Sequence, residues 1–386
     1  MKISAEYFDK VTERRHTNSL KWDEYPDTLP LWVADMDFRT APPIIEALVK
    51  RAQHGIFGYT HVPDEYYDAY INWFSSRHGW NFNREDIIYT IGIVPAISAI
   101  LKAMTSPGDK VIVQSPTYNC FFSSIRNNGC RLLANHLIDT GNGYVIDFED
   151  LEAKASDPEA KVLILCNPHN PVGRIWTRDE LKRIADICLK HNIFVISDEI
   201  HCEFTYNGAQ YTPFATLGDD VVNNCAVCVS PSKAFNIAGL QISNIVVRNE
   251  SIRNRIDRAI NDNEVCDVNP FGVIAAIKAY TEGAPWLDGL MDYLYDNYCY
   301  LREFFRQNFP QFPVTPLEAT YLAWVNVSSS GMSGKDFCKM VCEKTGLKLN
   351  DGEMYGPGGE DYIRINFACP RSILEDAMQR LRKALS

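Results

Sequence analysis

Three short apolar runs constrain the fold of this chain most: Lys110-Val111-Ile112-Val113-Gln114, Lys161-Val162-Leu163-Ile164-Leu165-Cys166 and Asn192-Ile193-Phe194-Val195-Ile196-Ser197. Their apolar residues continue without alternating with polar ones, the pattern of strands buried on both faces of a parallel sheet. Between the last two runs, Thr177-Arg178-Asp179-Glu180-Leu181 pairs an N-cap threonine with a glutamate at N3, a capping box that opens a helix toward Lys190. Strand, helix and strand in that order make βαβ units and predict an α/β fold with a mostly parallel central sheet flanked by helices. After Gly283-Ala284-Pro285 the pattern changes to one helix over 286–309, followed by shorter strand-like runs at Tyr321-Leu322-Ala323-Trp324-Val325 and Tyr362-Ile363-Arg364-Ile365-Asn366-Phe367. The change predicts a large domain over 43–284 and a smaller α+β domain formed by 1–42 together with 285–386.

Composition narrows the function. A net charge of -11 argues against a nucleic-acid or anionic-membrane surface, which needs clustered lysine and arginine. The opening Met1-Lys2-Ile3-Ser4-Ala5-Glu6-Tyr7 has no apolar signal core, and no uncharged stretch approaches the length of a membrane span, so a cytoplasmic location is expected. Twelve cysteines are scattered without a framework spacing and read as reduced thiols. Cys225 and Cys228 would face opposite sides of a strand, and Cys338 and Cys342 have helical spacing without a histidine nearby, so both pairs read as core residues and no metal is expected.

In open α/β sheets ligands bind beyond the carboxyl ends of the strands. Polar segments follow the apolar runs at those places: Tyr89-Thr90-Ile91-Gly92-Ile93-Val94, Ser115-Pro116-Thr117-Tyr118, Asn167-Pro168-His169-Asn170-Pro171-Val172-Gly173, Ser197-Asp198-Glu199-Ile200-His201 and Ser230-Pro231-Ser232-Lys233-Ala234-Phe235-Asn236. Lys233 is the candidate for a lysine that forms an imine and later carries a proton, chemistry that requires a lowered pKa. Asp198 is placed to pair with a pyridine nitrogen, Asn170 to donate to a phenolic oxygen, and Tyr118 to stack on a ring. Gly92, Ile93 and Val94 lead into a helix whose first amides suit a phosphate, with Ser230 and Ser232 as further donors and His201 as an added cofactor contact. The group these parts describe is pyridoxal 5'-phosphate. Taken singly, each has an ordinary reading: a solvated loop lysine, a turn aspartate, a glycine cap.

The ordered set resembles the fold-type-I pyridoxal-phosphate enzymes of the class I/II aminotransferase superfamily over nearly the whole chain. Leu31-Trp32-Val33-Ala34-Asp35-Met36-Asp37-Phe38, Tyr59-Thr60, Ser232-Lys233-Ala234-Phe235-Asn236-Ile237-Ala238-Gly239-Leu240 and Arg364-Ile365-Asn366-Phe367-Ala368-Cys369-Pro370 resemble its MalY/PatB branch, the cystathionine β-lyase-like C–S β-lyases. The resemblance implies that Arg364 grips the substrate carboxylate, with Asn170 and Tyr118 beside it, and that Trp32, Asp35 and Tyr321 lie toward the substrate. It also implies a homodimer in which Tyr59 crosses to the phosphate of the neighbouring subunit and takes part in catalysis. Gln241 stands where the aspartate aminotransferases carry a phosphate-binding arginine, which fits the lyase branch.

The implied reaction is β-elimination: Lys233 removes the Cα proton of L-cystathionine or a related cysteine S-conjugate and a thiolate leaves Cβ, giving a thiol, pyruvate and ammonia. An aminotransferase, which uses the same residues, is the alternative. A noncatalytic regulatory protein on the same scaffold is less consistent with an intact Lys233, Asp198, Asn170 and Arg364. A nicotinamide-binding fold is excluded because no Gly-x-Gly-x-x-Gly follows an early strand.

Overall fold

The computed structural model of the protein describes residues 2–386. Its largest sheet has eight strands, in the spatial order Ile87–Thr90, Ser243–Val246, Cys225–Val229, Phe194–Asp198, Ala160–Cys166, Lys110–Ser115, Arg131–Asp139 and Tyr144–Ile146. The three strands expected from the apolar runs lie together in its parallel centre, bonded in register as Val113 to Ile164 and Cys166 to Asp198. Ser243–Val246 runs antiparallel to both its neighbours, and Tyr144–Ile146 closes the far edge in the same reversed sense.

Alternate residues of the central strands feed two separate apolar layers, which explains why the runs show no polar alternation. Leu163, Leu165, Val195 and Val227 join one layer, while Val162, Ile164, Ile196 and Ala226 join the other. Cys225 and Cys228 fall in opposite layers, as strand geometry requires. All twelve cysteines are free. The capping box forms as expected, with the Thr177 hydroxyl accepting from the Glu180 amide at 3.2 Å and the Glu180 carboxylate accepting from the Thr177 amide at 2.7 Å, ahead of the helix Arg178–Lys190.

Beyond the large sheet, the helix Ala284–Asn308 opens with Pro285 in its first turn, where the missing amide costs nothing. Leu322–Asn326, Tyr362–Asn366 and Asn350–Asp351 form a small antiparallel sheet, with the helices Gly334–Thr345 and Arg371–Leu385 beside it. Leu29–Pro30 pairs in parallel with Leu347–Lys348, so the amino-terminal segment is tied to the carboxyl-terminal part of the chain. No helix among the described residues is long and apolar enough to cross a membrane.

Two local features fix the loops at the carboxyl edge of the large sheet. Gly173 has a φ of +71°, and a Cβ there would lie 2.7 Å from Leu317 Cδ1, so the loop after Ala160–Cys166 closes tightly only with glycine. The Asn236 amide donates to the carbonyls of Met36 and Phe38, both at 2.9 Å, and pins the segment 32–38 across the strand ends.

Candidate active site

A cleft of about 500 Å³ opens at the carboxyl edge of the parallel strands. The loops after Lys110–Ser115, Ala160–Cys166 and Phe194–Asp198 bring Tyr118, Asn170, Asp198 and His201 to it. The short helix Pro231–Ala234 contributes Ser232 and Lys233, Gly92-Ile93-Val94 enters at the start of the helix Ile93–Met104, and Arg364 comes from the small sheet.

Lys233 donates from Nζ to the Ala34 carbonyl at 2.5 Å, a neutral partner that leaves its charge uncompensated by a bonded carboxylate. Burial pulls its pKa down to about 8, and the Arg364 charge pulls the same way against Asp35 and Asp198. Asp198 is buried and accepts only a 3.2 Å bond from the Ile200 amide. Burial raises its pKa to about 7; the Glu199 charge acts in the same direction, and the Ile200 bond and Lys233 oppose it. His201, also buried, is driven down to about 3, first by burial and then by the Lys233 and Arg364 charges, and its Nδ1 has no partner. It is therefore a neutral imidazole at neutral pH.

Arg364 is held by two contacts, Nη1 to Asn170 Oδ1 at 3.2 Å and Nη2 to the Trp32 carbonyl at 3.0 Å, with its guanidinium carbon 4.8 Å from the Tyr355 ring centroid. Its Nε is buried without a partner, so donor capacity remains for a carboxylate. Tyr118 is half-buried, and burial, with Cys120 next, pushes its phenol far above the usual range, so it is a neutral ring at the cleft.

Two expected site residues are placed elsewhere. The Ser230 hydroxyl donates to the Ile242 carbonyl at 2.6 Å and accepts from the Ser232 amide at 3.1 Å, capping the short helix, so its hydrogen is already used. Tyr59 is 98% exposed in the segment 55–63, outside the cleft of its own chain. Of the residues expected toward the substrate, Trp32 lines the cleft. Asp35 instead faces an adjoining cavity of about 430 Å³ and pairs with Arg14 at 2.6 Å. Tyr321 is fully buried and donates to the Ala34 carbonyl at 2.9 Å, supporting the carbonyl that Lys233 also uses.

Sequence reasoning missed the residues that finish the Arg364 side: Leu20, Cys120, Asn350, Met354 and Tyr355 all line the cleft. It also missed Arg14 and Lys21, which hold Asp37 at 2.6 and 2.7 Å and so anchor the segment over the site. Nothing local marks these residues; the acidic pair Asp35 and Asp37 was the only signal that buried cations had to lie nearby.

Among the described residues one further cluster, His78, Cys202 and Glu203, brings its ligand atoms within 4.8 Å of one another. Glu203 Oε1 already accepts from Trp73 Nε1 at 2.7 Å and lies 2.8 Å from His78 Nε2, while Oε2, which accepts no hydrogen bond, faces Arg77 at 3.3 Å.

The donor set of the cleft fits pyridoxal phosphate. A buried carboxylate bonded only to an amide calls for a cationic ring nitrogen, a lowered lysine suits covalent attachment, a half-buried tyrosine offers a ring face, and helix-start amides offer a phosphate site.

The model of the aminotransferase class I and II family matches residues 26–381. The chain is 42% identical to cystathionine beta-lyase PatB of Bacillus subtilis over 98% of its own length and all of that protein's. Cystalysin from Treponema denticola, whose crystal structure contains a pyridoxal 5'-phosphate cofactor, superposes with a TM-score of 0.95 at 35% identity over 98% of each chain. The PLP-bound C-S lyase from Staphylococcus hominis superposes with a TM-score of 0.91 at 34% identity, again over 98% of each. The chain belongs to the aminotransferase class I and II family, and is similar over its length to that family's carbon–sulfur lyases.

Proposed function

We propose that this chain is a pyridoxal-phosphate-dependent C–S β-lyase that converts L-cystathionine or related cysteine S-conjugates to a thiol, pyruvate and ammonia. The observation that carries the reading is the meeting of Lys233, Asp198 and Arg364 in one cleft, with the lysine at a pKa of about 8. The lyase names of its relatives and solved neighbours favour elimination over transamination.

When bound, the cofactor supplies an electron sink for negative charge developing at the substrate Cα. Lys233 would hold the cofactor covalently and, as a free amine, would take the substrate's Cα proton; an amine near neutral pKa is matched to that task. Asp198 would keep the ring nitrogen protonated, and the Asn170 side-chain NH2, its Oδ1 accepting from Arg364, would donate to the phenolic oxygen. His201 would add a neutral contact, and Tyr118 would offer its ring for stacking. The amides of Gly92, Ile93 and Val94, with the Ser232 hydroxyl, hold the phosphate, Ser230 acting behind them through the helix cap. Arg364 takes the α-carboxylate with its remaining donors, which fixes the Cα–H bond toward Lys233.

The reading includes a homodimer in which Tyr59 of a second copy completes the phosphate site. Its exposure on an aromatic segment, where Phe57 stacks on Phe271 at 5.8 Å, supports this. It also includes a cytoplasmic location and the division into domains 43–284 and 1–42 with 285–386.

The test is to incubate the cofactor-loaded protein with L-cystathionine and an S-alkyl-cysteine without any keto acid. Equal amounts of pyruvate and thiol are expected. No products, followed by amino-group transfer once a keto acid is added, would make the protein an aminotransferase instead.

A further inference from the structure

The Ala34 carbonyl accepts from two donors at once, Lys233 Nζ at 2.5 Å and the Tyr321 hydroxyl at 2.9 Å. Tyr321 does not line the cleft, yet backbone strain is retained to place it. Thr320, just before it, is β-branched and fully buried with a φ of +71°, a region such residues rarely adopt. Its amide donates to the Phe204 carbonyl at 3.3 Å, its Oγ1 accepts from the Leu322 amide at 3.2 Å, and the preceding Ala319 amide donates to the Gly173 carbonyl at 2.9 Å. Strain of this kind persists where surrounding contacts over-determine it, and it clusters at functional sites. Here the turn sets the Tyr321 ring against Phe204 and His201, with centroids at 4.9 and 5.9 Å, and brings its hydroxyl to Ala34.

Two roles are open to that hydroxyl: it anchors the Ala34 carbonyl, or it shares it. The neighbouring peptides decide between them. The Val33 and Asp35 carbonyls both accept from Asn366 Nδ2 at 2.6 Å, and the Trp32 carbonyl accepts from Arg364 and Asn350 at 3.0 and 2.9 Å. The chain on either side of Ala34 is therefore fixed without Tyr321, and a further anchor is redundant. Sharing is not. A hydrogen bond to an ammonium favours the charged form of a lysine, and a carbonyl with one lone pair already engaged is a weaker acceptor for that ammonium. Burial pushes the Tyr321 phenol far above its usual range, so it remains a donor throughout the range in which Lys233 titrates. The charged and titratable groups facing Lys233 are Asp35 on the same segment, Asp198 and His201 beyond the parallel strands, Cys120 opening the helix Cys120–Asn127, and Arg364 on the small sheet. To these Tyr321 adds a neutral influence that does not change with pH.

We propose that Tyr321 is a positioning residue for Lys233: by occupying one lone pair of the Ala34 carbonyl, it weakens the hold on the ammonium and keeps the lysine available as a free amine. The consequence in turnover rests on the β-lyase reading, in which Lys233 takes the Cα proton. The sharing itself is a property of the cofactor-free chain and is tested there.

The experiment is competitive labelling of the cofactor-free full chain with trace acetic anhydride over roughly pH 6 to 11, the span in which lysines titrate. A free amine attacks the anhydride carbonyl and acetate leaves, so the acetylated fraction of the Lys233 peptide follows its deprotonation. Tyr321→Phe keeps the ring and removes the hydroxyl. It is expected to raise the Lys233 midpoint by roughly half to one pH unit, the scale of one hydrogen bond, and to move the acid limb of pyruvate release by the loaded enzyme in the same direction. Phe204→Leu loosens the ring contact that aims the hydroxyl; it should raise the midpoint by less, and it decides the matter if Tyr321→Phe does not fold. An unchanged or lowered midpoint in the folded variant would overturn the proposal, whether or not pyruvate is formed. A raised midpoint together with no pyruvate from the wild type would uphold the sharing and remove the lyase reading instead.

Discussion

Two clefts of nearly equal size, about 500 Å³ lined by Lys233 and Asp198 and about 490 Å³ lined by Arg77 and His78, the partners of Glu203, have buried charge held in opposite ways. Glu203 is surrounded by Trp73, His78 and Arg77, and despite burial its carboxyl lies below its usual range because His78 leads a set of favourable partners. Asp198 and Lys233 lack such partners, and burial moves each toward its neutral form. A satisfied buried charge holds structure together, whereas unsatisfied charges around a cavity store free energy that a ligand can recover. Volume alone would not separate the two sites; the number of partners at each carboxylate does, since Trp73 and His78 bond Glu203 Oε1 and Arg77 pairs with an Oε2 that accepts no hydrogen bond, whereas Asp198 accepts only from the Ile200 amide.

The largest expected effect is at Lys233. Lys233→Ala should reduce pyruvate formation by roughly a thousandfold or more, the range for loss of a general base combined with loss of the covalent anchor. Its melting temperature without cofactor should not fall, since the change removes a poorly compensated buried charge. Glu203→Ala should do the reverse, costing about 3 kcal/mol in urea unfolding by leaving its partners unpaired, while the surviving folded protein keeps its KM. If Glu203→Ala abolished activity in folded protein, the separation of the two clefts would fail.

Asp198 offers a pH-dependent version of the same contrast in the cofactor-free protein. Its carboxyl rises from 3.8 to about 7 on folding, so between those values the folded chain binds the extra proton. Stability from this group therefore falls as pH rises through that window, and the cost is complete above about pH 7. For Lys233, lowered from 10.5 to about 8, the cost is complete below about pH 8 and is relieved as pH rises toward 10.5. Asp198→Asn should raise the cofactor-free melting temperature most above pH 7, with the gain vanishing near pH 4, and should inactivate the loaded enzyme. A gain independent of pH would contradict the assignment.

Smaller effects sharpen the comparison. Arg364→Lys keeps the charge but loses the planar fork, and should raise KM by about tenfold with a smaller change in kcat. Trp73→Phe removes the 2.7 Å bond to Glu203 and trims a buried ring that packs on Tyr280 and carries Arg77 at 4.7 Å, and should cost about 2 kcal/mol in stability, with steady-state constants unchanged.

The sequence made the large-sheet side of the first cleft legible because Tyr118, Asn170, Asp198 and Lys233 each follow an apolar strand, where a local pattern and a topological rule coincide. Asp198 and Asn170 were readable in this way. The Glu203 cluster was not: it joins Trp73 and His78 to a residue more than 120 positions away, and no local pattern encodes such a meeting. The anchoring of 32–38 by Arg14, Lys21 and Asn236 was hidden for the same reason, as were Asn350 and Tyr355 beside Arg364. Ser230 shows a different limit. Its hydroxyl was a sound phosphate donor by type and position, but the Ile242 carbonyl competes for its single hydrogen, and that competition exists only once the strand Ser243–Val246 is in place. The reversed direction of Ser243–Val246 and Tyr144–Ile146 was likewise hidden, since nothing in either run marks its sense.

Reduction of the cofactor-loaded protein with borohydride, followed by peptide mapping, tests the assignment of Lys233 most directly. The pyridoxyl group is expected on Lys233 alone, with the fully buried Lys21, sealed by its ion pair with Asp37, unlabelled. Label on any other lysine, or none at all, would contradict it.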